Sequence, residues 1–579
     1  MTPDRTRRRL GALLSAVLAA VLLAGCASIP TAGRVRQGGD DVAPGGDIGL
    51  IAQGPVPGAD PGGIVNGFLL ATQAGPTSST SFSVAREYLT ADAGKAWQQN
   101  SRVVVLDGMK VTAATIPDGT EKTTVTVTGS VVASVDDRGV YTEEPAPAAG
   151  DTSFTTSFVL SKQDGQWRIS ALDDGLLMPA QLFTSTYHRT TLYFAPQDSR
   201  ANMWLPDVRW FPQQTWRTNA VTELLAGPPD WMGGAARALM PAGTTLSINA
   251  VTTQNGSFQV PLTGQVAEAS GPDRALFQAQ LEATLADGTG VDATVTLLDH
   301  NNSPIVPPSN VTIPDRPHTD GAALAIADGK PYTVSGRQLT AADDLHLHLE
   351  GLTPTALAQG PNAGPVVVRQ GTDQIVRVSG DQVRILQGQD LLAPSVDRFG
   401  TVWSGSAGGP LVVVAPGGHP VTVAAPWLDG RTVVSISVSP DAGRLAVVST
   451  GVGGPSVQVA GIVRDAKDLP VALAAKPVTV GASVAGVVQA VWEDETVLAL
   501  LGQDDSGARA VYLSGVGGLP SAGGRSRRVS GLADPQAITA SVGSGDMLAV
   551  DGNGVLYLHQ SSAVWPAVGS KVTVVAYPG

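Results

Sequence analysis

The stretch VVSISVSPDAGRLAVVS, residues 433–449, decides the architecture of the second half of this chain. Two runs rich in Val and Ser flank an acidic turn at Asp441, and each run has the length of one short β-strand. Similar runs lie on both sides of it, among them PVVVRQ, PLVVVAP and DMLAVDGNGVLYLH. The second half of the chain is therefore predicted to be a series of short strands joined by tight turns.

These turns return at a nearly regular interval. Asp397, Asp441 and Asp494 lie 44 and 53 residues apart, and a similar turn at Ser544 follows 50 residues later. A period of about 40 to 50 residues with four strands in each unit is typical of β-propeller blades. Five units can be counted, and AALAIADGKPYTV is a candidate for a sixth, so residues 321–579 are predicted to form a propeller of five to six blades. A pair of β-sandwiches is the alternative, with shorter and less regular connections.

Residues 186–315, upstream of the propeller, are predicted to form an α/β domain. The strand TTLYFA precedes the helix RTNAVTELLAGPP, which Gly227 caps, and TLSINAV and GSFQVPLT are further strands. A second helix, PDRALFQAQLEATLADG, places Phe277 and Leu281 on one face before the strand VDATVTLL. This order, together with the Pro-x-Gly-Thr turn at 241–244, resembles the GerMN domain of sporulation, germination and cell-envelope proteins.

Residues 61–185 are predicted to form an α+β domain. Helical stretches GGIVNGFLLATQ and SFSVAREYLTADAGKAW come first, and the strands TTVTVTGSVVASV and FTTSFVLSKQDGQWRIS follow. Asp164 and Gly165 are typical of a two-residue hairpin turn within the last stretch. The ending DGQWRISALDDGLLM resembles the last strands of NTF2-like domains, which bind or scaffold as often as they catalyse.

The single cysteine, Cys26, lies at the end of a secretory signal. Four arginines precede fourteen uncharged residues, 10–23, which are too few to span a bilayer. The order Leu23-Ala24-Gly25-Cys26 matches the bacterial lipobox, so residues 1–26 are predicted to be a signal peptide cleaved between Gly25 and Cys26, with Cys26 carrying diacylglycerol. The Gly- and Pro-rich residues 27–60 are predicted to be a flexible tether, and the mature protein is expected on the extracytoplasmic face of the cell membrane.

Composition and charge exclude several classes of function. The net charge of −13 opposes binding to phosphate backbones, so no nucleic-acid partner is expected. One cysteine excludes intramolecular disulfides and cysteine-based zinc sites. The chain lacks a phosphate-binding loop, a dinucleotide fingerprint, His-Glu-x-x-His and Gly-x-Ser-x-Gly, so neither a cofactor nor catalysis is expected.

One segment has residues that could bind a metal ion. In DDLHLHLEG, residues 343–351, strand alternation would place four potential ligands on one face: Asp344, His346, His348 and Glu350. An amphipathic strand with a wet side explains the same pattern, and no further ligand is evident elsewhere. No metal site is therefore expected.

Two other motifs are candidate functional segments in the propeller. SVDRFGTVW, residues 395–403, resembles the Asp-box of sialidases, but Gly400 comes one residue late, and such a turn indicates a fold and not catalysis. The basic run GGRSRRVS, with Arg525, Arg527 and Arg528, is predicted to be a solvated blade loop, with a site for an acidic partner as the alternative.

The complete order of lipobox, tether, NTF2-like region, GerMN-like domain and β-propeller resembles the LpqB family of actinobacterial lipoproteins. That resemblance implies an accessory protein of the MtrA/MtrB two-component system, which acts on the extracytoplasmic part of a sensor histidine kinase and affects cell-envelope homeostasis and division. Cys26 is the one functional residue that it transfers. The alternative is a cell-envelope glycan-binding protein or hydrolase that uses the propeller. A carboxylate pair in the propeller's channel would favour the hydrolase, and a lining of Gly, Val and Ser would oppose it.

Overall fold

A computed structural model describes residues 52–73, 82–113, 115, 117, 119–146, 154–286, 293–561 and 563–579. The described residues all belong to one compact unit. The predicted signal peptide, with Gly25 and Cys26, and most of the tether lie outside the described residues. Within the described part, no helix is long and apolar enough to cross a membrane.

The first domain packs helices against one sheet, as the sequence predicts, and all pairings in this sheet except that of β1 with β6 are antiparallel. Its helices are α1 (Pro61–Gln73), α2 (Ser83–Arg86), α3 (Ala91–Ala96) and α4 (Ala180–Thr186). Its strands are β1 (Arg102–Ala113), β2 (Lys122–Asp136), β3 (Tyr141–Glu143), β4 (Phe154–Gln163), β5 (Gln166–Ala171) and β6 (Leu176–Pro179). They are ordered β5-β4-β2-β1-β6, with β6 parallel to β1 and β3 paired with β2. Asp164 and Gly165 both have positive φ, 50° and 75°, which confirms the predicted hairpin turn.

The second domain has two small sheets and two helices. Its elements are β7 (Tyr187–Pro196), β8 (Leu205–Pro212), α5 (Trp216–Ala226), β9 (Ala236–Arg237), β10 (Thr252–Gln254), β11 (Ser257–Pro261), α6 (Gly271–Leu285) and β12 (Thr294–Leu298). The sheet orders are β8-β7-β9 and β10-β11-β12. Gly227 ends α5 with a φ of 88°, and its N–H donates to Leu224, so the predicted cap is confirmed.

One predicted strand of this domain is wrong. TLSINAV forms bends, and its pairing is an isolated bridge between Leu246 and Leu262. Ile248 is 55% exposed, so the alternation of this segment does not face a core.

The propeller has six blades, each built on a four-stranded antiparallel sheet. Blade 1 contains β13 (Ala323–Ala327), β14 (Lys330–Ser335), β15 (Gln338–Ala341) and the last strand of the chain; blade 2 contains β16 (Pro354–Gln359), β17 (Val366–Gln370), β18 (Gln374–Arg377) and β19 (Val383–Gln387). Blade 3 contains β20 (Ser395–Val396), β21 (Val402–Gly405), β22 (Leu411–Val414) and β23 (Val421–Val423). Blade 4 contains β24 (Thr432–Val438), β25 (Arg444–Gly451), β26 (Gly454–Arg464), β27 (Pro470–Leu473) and β28 (Val478–Val480). Blade 5 contains β29 (Ala485–Asp494), β30 (Val497–Gln503), β31 (Arg509–Gly515) and β32 (Arg527–Val529). Blade 6 contains β33 (Pro535–Ala540), β34 (Met547–Asp551), β35 (Leu556–Leu558) and β36 (Ala567–Gly569), and β37 (Val572–Ala576) then completes blade 1.

The ring is closed by strands from opposite ends of the propeller sequence. β37 pairs antiparallel with β13, with Leu324 opposite Ala576 and Ile326 opposite Val574. The candidate sixth unit thus obtains its innermost strand from the C-terminal end. All four turns that set the sequence period, at Asp397, Asp441, Asp494 and Ser544, join the first and second strands of successive blades 3 to 6.

Candidate functional site

The innermost strands of the six blades, which are the first strands of blades 2 to 6 and β37 in blade 1, surround a central channel of about 390 Å³. Its lining is mainly small and aliphatic or hydroxyl-bearing, and includes Ala356, Ser395, Ser435, Ile436, Ser437, Val488, Ile538, Thr539 and Thr573. Arg369, Arg509, Gln489 and Gln536 are the main larger polar groups, and none of the described lining residues is acidic. Glycoside hydrolysis generally requires a pair of carboxyl groups, so this lining opposes the hydrolase alternative for the channel.

The channel wall is held rigid by a contact between blades 5 and 6. The amide of Gln489 donates to the carbonyl of Ile538 at 2.8 Å and accepts from its N–H at 3.0 Å. A side chain that satisfies both backbone groups of one residue fixes the two inner strands against each other.

The two upstream domains pack on one end of this channel, which we call the docking face. It consists of the turns at 397–401, 439–443, 494–496 and 541–546 and the loop 515–526. One hydrophobic cluster joins the second domain to blades 4 and 5, and it contains buried residues from both: Leu205, Phe277, Leu281, Val448, Val459 and Leu498. The second domain and the propeller therefore share a core.

The loop 515–526 receives hydrogen bonds from both upstream domains. Trp210 donates its indole N–H to the carbonyl of Gly517 at 2.8 Å, and Tyr141 donates its hydroxyl to Gly523 at 2.8 Å. Arg189 donates to Gly518 at 3.0 Å. Burial raises the pKa of the Tyr141 hydroxyl, so this group stays a neutral donor.

The basic run of the sequence also belongs to this interface. Arg525 forms an ion pair with Asp107 of the first domain at 2.8 Å. Next to it, the carboxylate of Glu143 accepts from the N–H and the hydroxyl of Ser526 at 3.1 and 3.0 Å. The predicted solvated loop is therefore wrong for Arg525, whose acidic partner lies within the same chain. Arg528 instead pairs with Asp504 on the exposed edge of blade 5.

The Asp-box-like turn is part of a buried ionic network. The fully buried carboxylate of Asp397 accepts from the N–H groups of Phe399 and Thr401 at 3.0 and 2.9 Å and pairs with Arg464 at 3.1 Å. One blade further, Asp441 pairs with the fully buried Arg444 at 2.6 Å. These carboxylates have partners inside the fold, so their role is to hold the turns of the docking face.

Two glutamates at the end of β29 have raised pKa values. Burial, with the neighbouring Asp494, raises the pKa of Glu493 to about 7. Burial also raises the pKa of Glu495, although that carboxylate accepts a short hydrogen bond from Tyr193 of the second domain. Both carboxyl groups are therefore harder to ionise than an exposed glutamate, and they lie at the docking-face end of β29.

The four low-priority metal candidates do not share a strand face. Residues Asp343–Leu345 form a 3₁₀ helix, and His346 has a φ of 43°, so the predicted strand is wrong there. The cause is packing: Leu347 and Leu349 turn toward the core of blades 1 and 2, while Asp344, His346, His348 and Glu350 are exposed. Among the residues that the structure describes, no group of three or more His, Cys, Asp or Glu side chains could hold a metal ion.

Comparison with known families identifies the three folded parts separately. Residues 54–184 match the family model "Lipoprotein LpqB, N-terminal domain", and residues 332–578 match "Lipoprotein LpqB beta-propeller domain". The chain belongs to the LpqB family. Between these parts, residues 191–301 match the family "Sporulation and spore germination", in agreement with the predicted GerMN-like domain.

Curated relatives carry the same family name along their whole length. Lipoprotein LpqB of Streptomyces avermitilis is 26% identical over 99% of both chains, and that of Cutibacterium acnes is 25% identical over 100% of both. The Bifidobacterium longum protein is 26% identical over 80% of both chains. The LpqB family is one of lipoproteins, which are anchored to a membrane through lipid.

The first domain offers little room for a ligand. The hollow between α1 and the sheet, lined by Phe68, Arg102 and Asp173, encloses about 20 Å³, room for about one water molecule. The first domain is therefore a poor candidate for a ligand site, and the propeller channel offers much more room.

Proposed function

We propose that this protein is an accessory partner of a two-component sensor histidine kinase of the MtrA/MtrB type, anchored at the extracytoplasmic face of the membrane through Cys26. In this role it presents a preassembled surface to the kinase's extracytoplasmic domain and alters its signalling, with effects on cell-envelope homeostasis and division. It performs no catalysis of its own.

The observation that best supports this proposal is that the three folded parts share cores and contacts as a single unit. In addition, the described lining of the propeller channel contains no acidic side chain. Trp210 and Tyr141 bind the same loop of blade 5, and the second domain and propeller share one hydrophobic cluster. A rigid multidomain surface suits recognition of a protein partner, whereas a hydrolase needs ionisable groups in a cleft.

The shared cores decide how the proposal can be tested. Removal of residues 186–315 or 321–579 would expose one side of a continuous hydrophobic cluster, so a loss of binding would report unfolding. The intact chain is therefore the correct reagent.

The test reconstitutes the sensor kinase in lipid vesicles with and without the lipid-anchored chain and measures the rate of kinase autophosphorylation. We expect a change of several-fold that depends on the anchor. Cys26→Ala should release the chain from membranes and abolish the effect, while Ser28→Ala, two residues outside the lipobox, should leave both unchanged.

Two outcomes would overturn the proposal. An unchanged autophosphorylation rate at saturating chain would exclude the kinase as partner, and recovery of cell-wall glycan by the intact chain would then favour the envelope-binding alternative. Membrane association of the Cys26→Ala variant would exclude the lipid anchor.

A further inference from the structure

We propose that the channel binds a small dicarboxylate between Arg369 and Arg509, at the end opposite the docking face. This solvent end carries the turns between the second and third strands, among them residues 371–373 and 504–508. The inference is independent of the kinase proposal, because it concerns the isolated chain and a small molecule.

The two arginines lie on opposite sides of the ring. Arg369 is on β17 of blade 2 and Arg509 begins β31 of blade 5, which are three blades apart in a ring of six. Both side chains line the channel. A ligand with one acidic group at each end could contact both guanidinium groups across this opening.

Each guanidinium is oriented by the wall but has donors left over. Arg369 donates from Nε to the hydroxyl of Thr355 at 3.0 Å and from Nη1 to the carbonyl of Leu391 at 2.8 Å. Arg509 donates from Nη1 to the side chain of Gln536 at 2.7 Å. A guanidinium has five N–H donors, so further donors of both groups can bind a ligand without loss of these contacts.

No ion pair with an acidic side chain is seen for either arginine within the described residues, although four other propeller arginines have one. Arg444, Arg464, Arg525 and Arg528 each pair with an aspartate. The described channel lining contains two arginines and no acidic side chain. Burial lowers the pKa of Arg369, which shows a desolvated cation, and a bound carboxylate would offset that desolvation.

The lining selects an aliphatic body between the acidic groups. Val434 and Val488 are 38% and 37% exposed at the channel wall, and Ile538 lies beside them in the lining. The volume of about 390 Å³ lies at the small end of the range for ligand pockets. One guanidinium can hold one carboxylate through two N–H donors, so two opposed guanidinium groups match a ligand with a carboxylate at each end.

The test is isothermal titration calorimetry of the intact chain in detergent with linear dicarboxylates from succinate to sebacate. We expect an affinity maximum at one chain length, because the gap between the arginines is fixed by the blades. The monocarboxylate of the same length should bind at least about tenfold more weakly than the best dicarboxylate, because it can pair with only one of the two guanidinium groups.

Variants locate the site. Arg369→Gln and Arg509→Gln should each lower the affinity for the best dicarboxylate at least about tenfold, and Arg369→Lys should retain part of it. Arg384→Gln, an exposed residue on β19 of the same blade as Arg369, is the matched control and should bind as the parent does. Circular dichroism of each variant verifies folding.

Any of the following results would overturn the inference: no dicarboxylate binds, affinity is independent of chain length, or the folded Arg369→Gln, Arg509→Gln double variant binds as tightly as the parent. Tighter binding of inorganic phosphate than of every dicarboxylate would also overturn it, because the site would then select a different anion.

Discussion

At the scale of single residues, the buried carboxylate of Asp397 shows how one side chain stabilises the docking face. It accepts two turn N–H groups and the indole N–H of Trp403, and it forms the ion pair with Arg464, whose side chain is only 9% exposed. Asp397→Ala should therefore lower the free energy of unfolding by about 3 to 5 kcal/mol. This is the usual cost of removing one member of a buried ion pair, because the other charge is left buried without its partner. Chemical denaturation of the intact chain measures this loss.

A matched control exists on blade 6. Asp551 accepts from the N–H groups two and four residues later, Asn553 and Val555, as Asp397 does from Phe399 and Thr401, but Asp551 lies at the surface. Asp551→Ala should lower the free energy of unfolding by clearly less than Asp397→Ala does. Equal losses would show that the turn hydrogen bonds, and not the ion pair with Arg464, stabilise Asp397.

Glu493 gives the molecule a pH dependence of defined sign. Its carboxyl group has a pKa of about 7 in the folded chain against 4.5 in the unfolded chain, so the folded state binds more protons between these values. The contribution of this carboxyl group to the free energy of unfolding is therefore fully present below about pH 4.5 and is lost as the pH rises through 7. Glu493→Gln should raise the melting temperature relative to the parent at pH 8 and not at pH 4, by an amount equivalent to roughly 2 to 3 kcal/mol at most.

The comparison of variant with parent at each pH isolates Glu493 from other groups. The pKa of Glu495 is also raised, so this group makes stability fall with rising pH in the same direction. Because it is present in both the parent and the Glu493→Gln variant, its effect cancels in the comparison. If the melting temperatures of the Glu493→Gln variant and the parent differ by the same amount at pH 4 and at pH 8, the prediction is contradicted.

At the scale of elements, local signals were predicted well and long-range pairing was not. The turn at Asp164 and Gly165, the cap at Gly227 and the recurring turn at Asp441 follow from residues a few positions apart, and each is confirmed. The segment 343–351 was mispredicted because its leucines turn toward neighbouring strands, which alternation along one strand does not reveal. Similarly, β13 shows no alternation, since all five of its residues are buried between two partners.

The closure of the ring by β37 depends on such a long-range pair. Truncation after Lys571 would leave the buried edge of β13 unpaired and remove the channel wall that Thr573 and Val574 supply. We expect the amide protons of β13 to exchange much faster. We also expect the melting transition of the chain to become broader or to move to a lower temperature. Hydrogen exchange measured by mass spectrometry follows the peptides that contain β13.

The amides of β25, in blade 4, are the internal control for this truncation. They pair with β24 and β26 and should keep most of their protection if the damage is local to the closure. Unchanged exchange in β13 would mean that pairing with β14 is sufficient to stabilise blade 1.

At the scale of the whole molecule, the candidate site could be anticipated only in part from the sequence. The fold of each domain and the propeller channel follow from local patterns, but the partner of Arg525 is Asp107, 418 residues away. The two opposed arginines of the channel likewise come from strands that no sequence spacing relates. The sequence therefore indicated which residues are unusual, and the assembled blades and domains determine what each of them contacts.

The docking of the upstream domains depends on glycines in the loop of blade 5. Gly517 has a φ of 90°, and a Cβ at this position would lie 2.7 Å from Cβ and 2.9 Å from the carbonyl oxygen of Val208 on β8. Gly517→Ala should therefore displace the second domain as well as strain the loop. We expect two separate melting transitions in calorimetry and faster proteolysis between the second domain and the propeller, because the shared hydrophobic cluster would lose its close packing.

Gly507→Ala separates this steric effect from backbone strain. Gly507 is also in blade 5 with a φ of 81°, but no atom lies within 4 Å of a Cβ placed there. Its variant should lower stability by about 1 kcal/mol through the left-handed backbone alone and should keep a single transition. If Gly517→Ala behaves in the same way as Gly507→Ala, the second domain and the propeller are not held together by the close approach of Val208 to this loop. The rigid surface on which the proposed kinase contact depends would then need another origin.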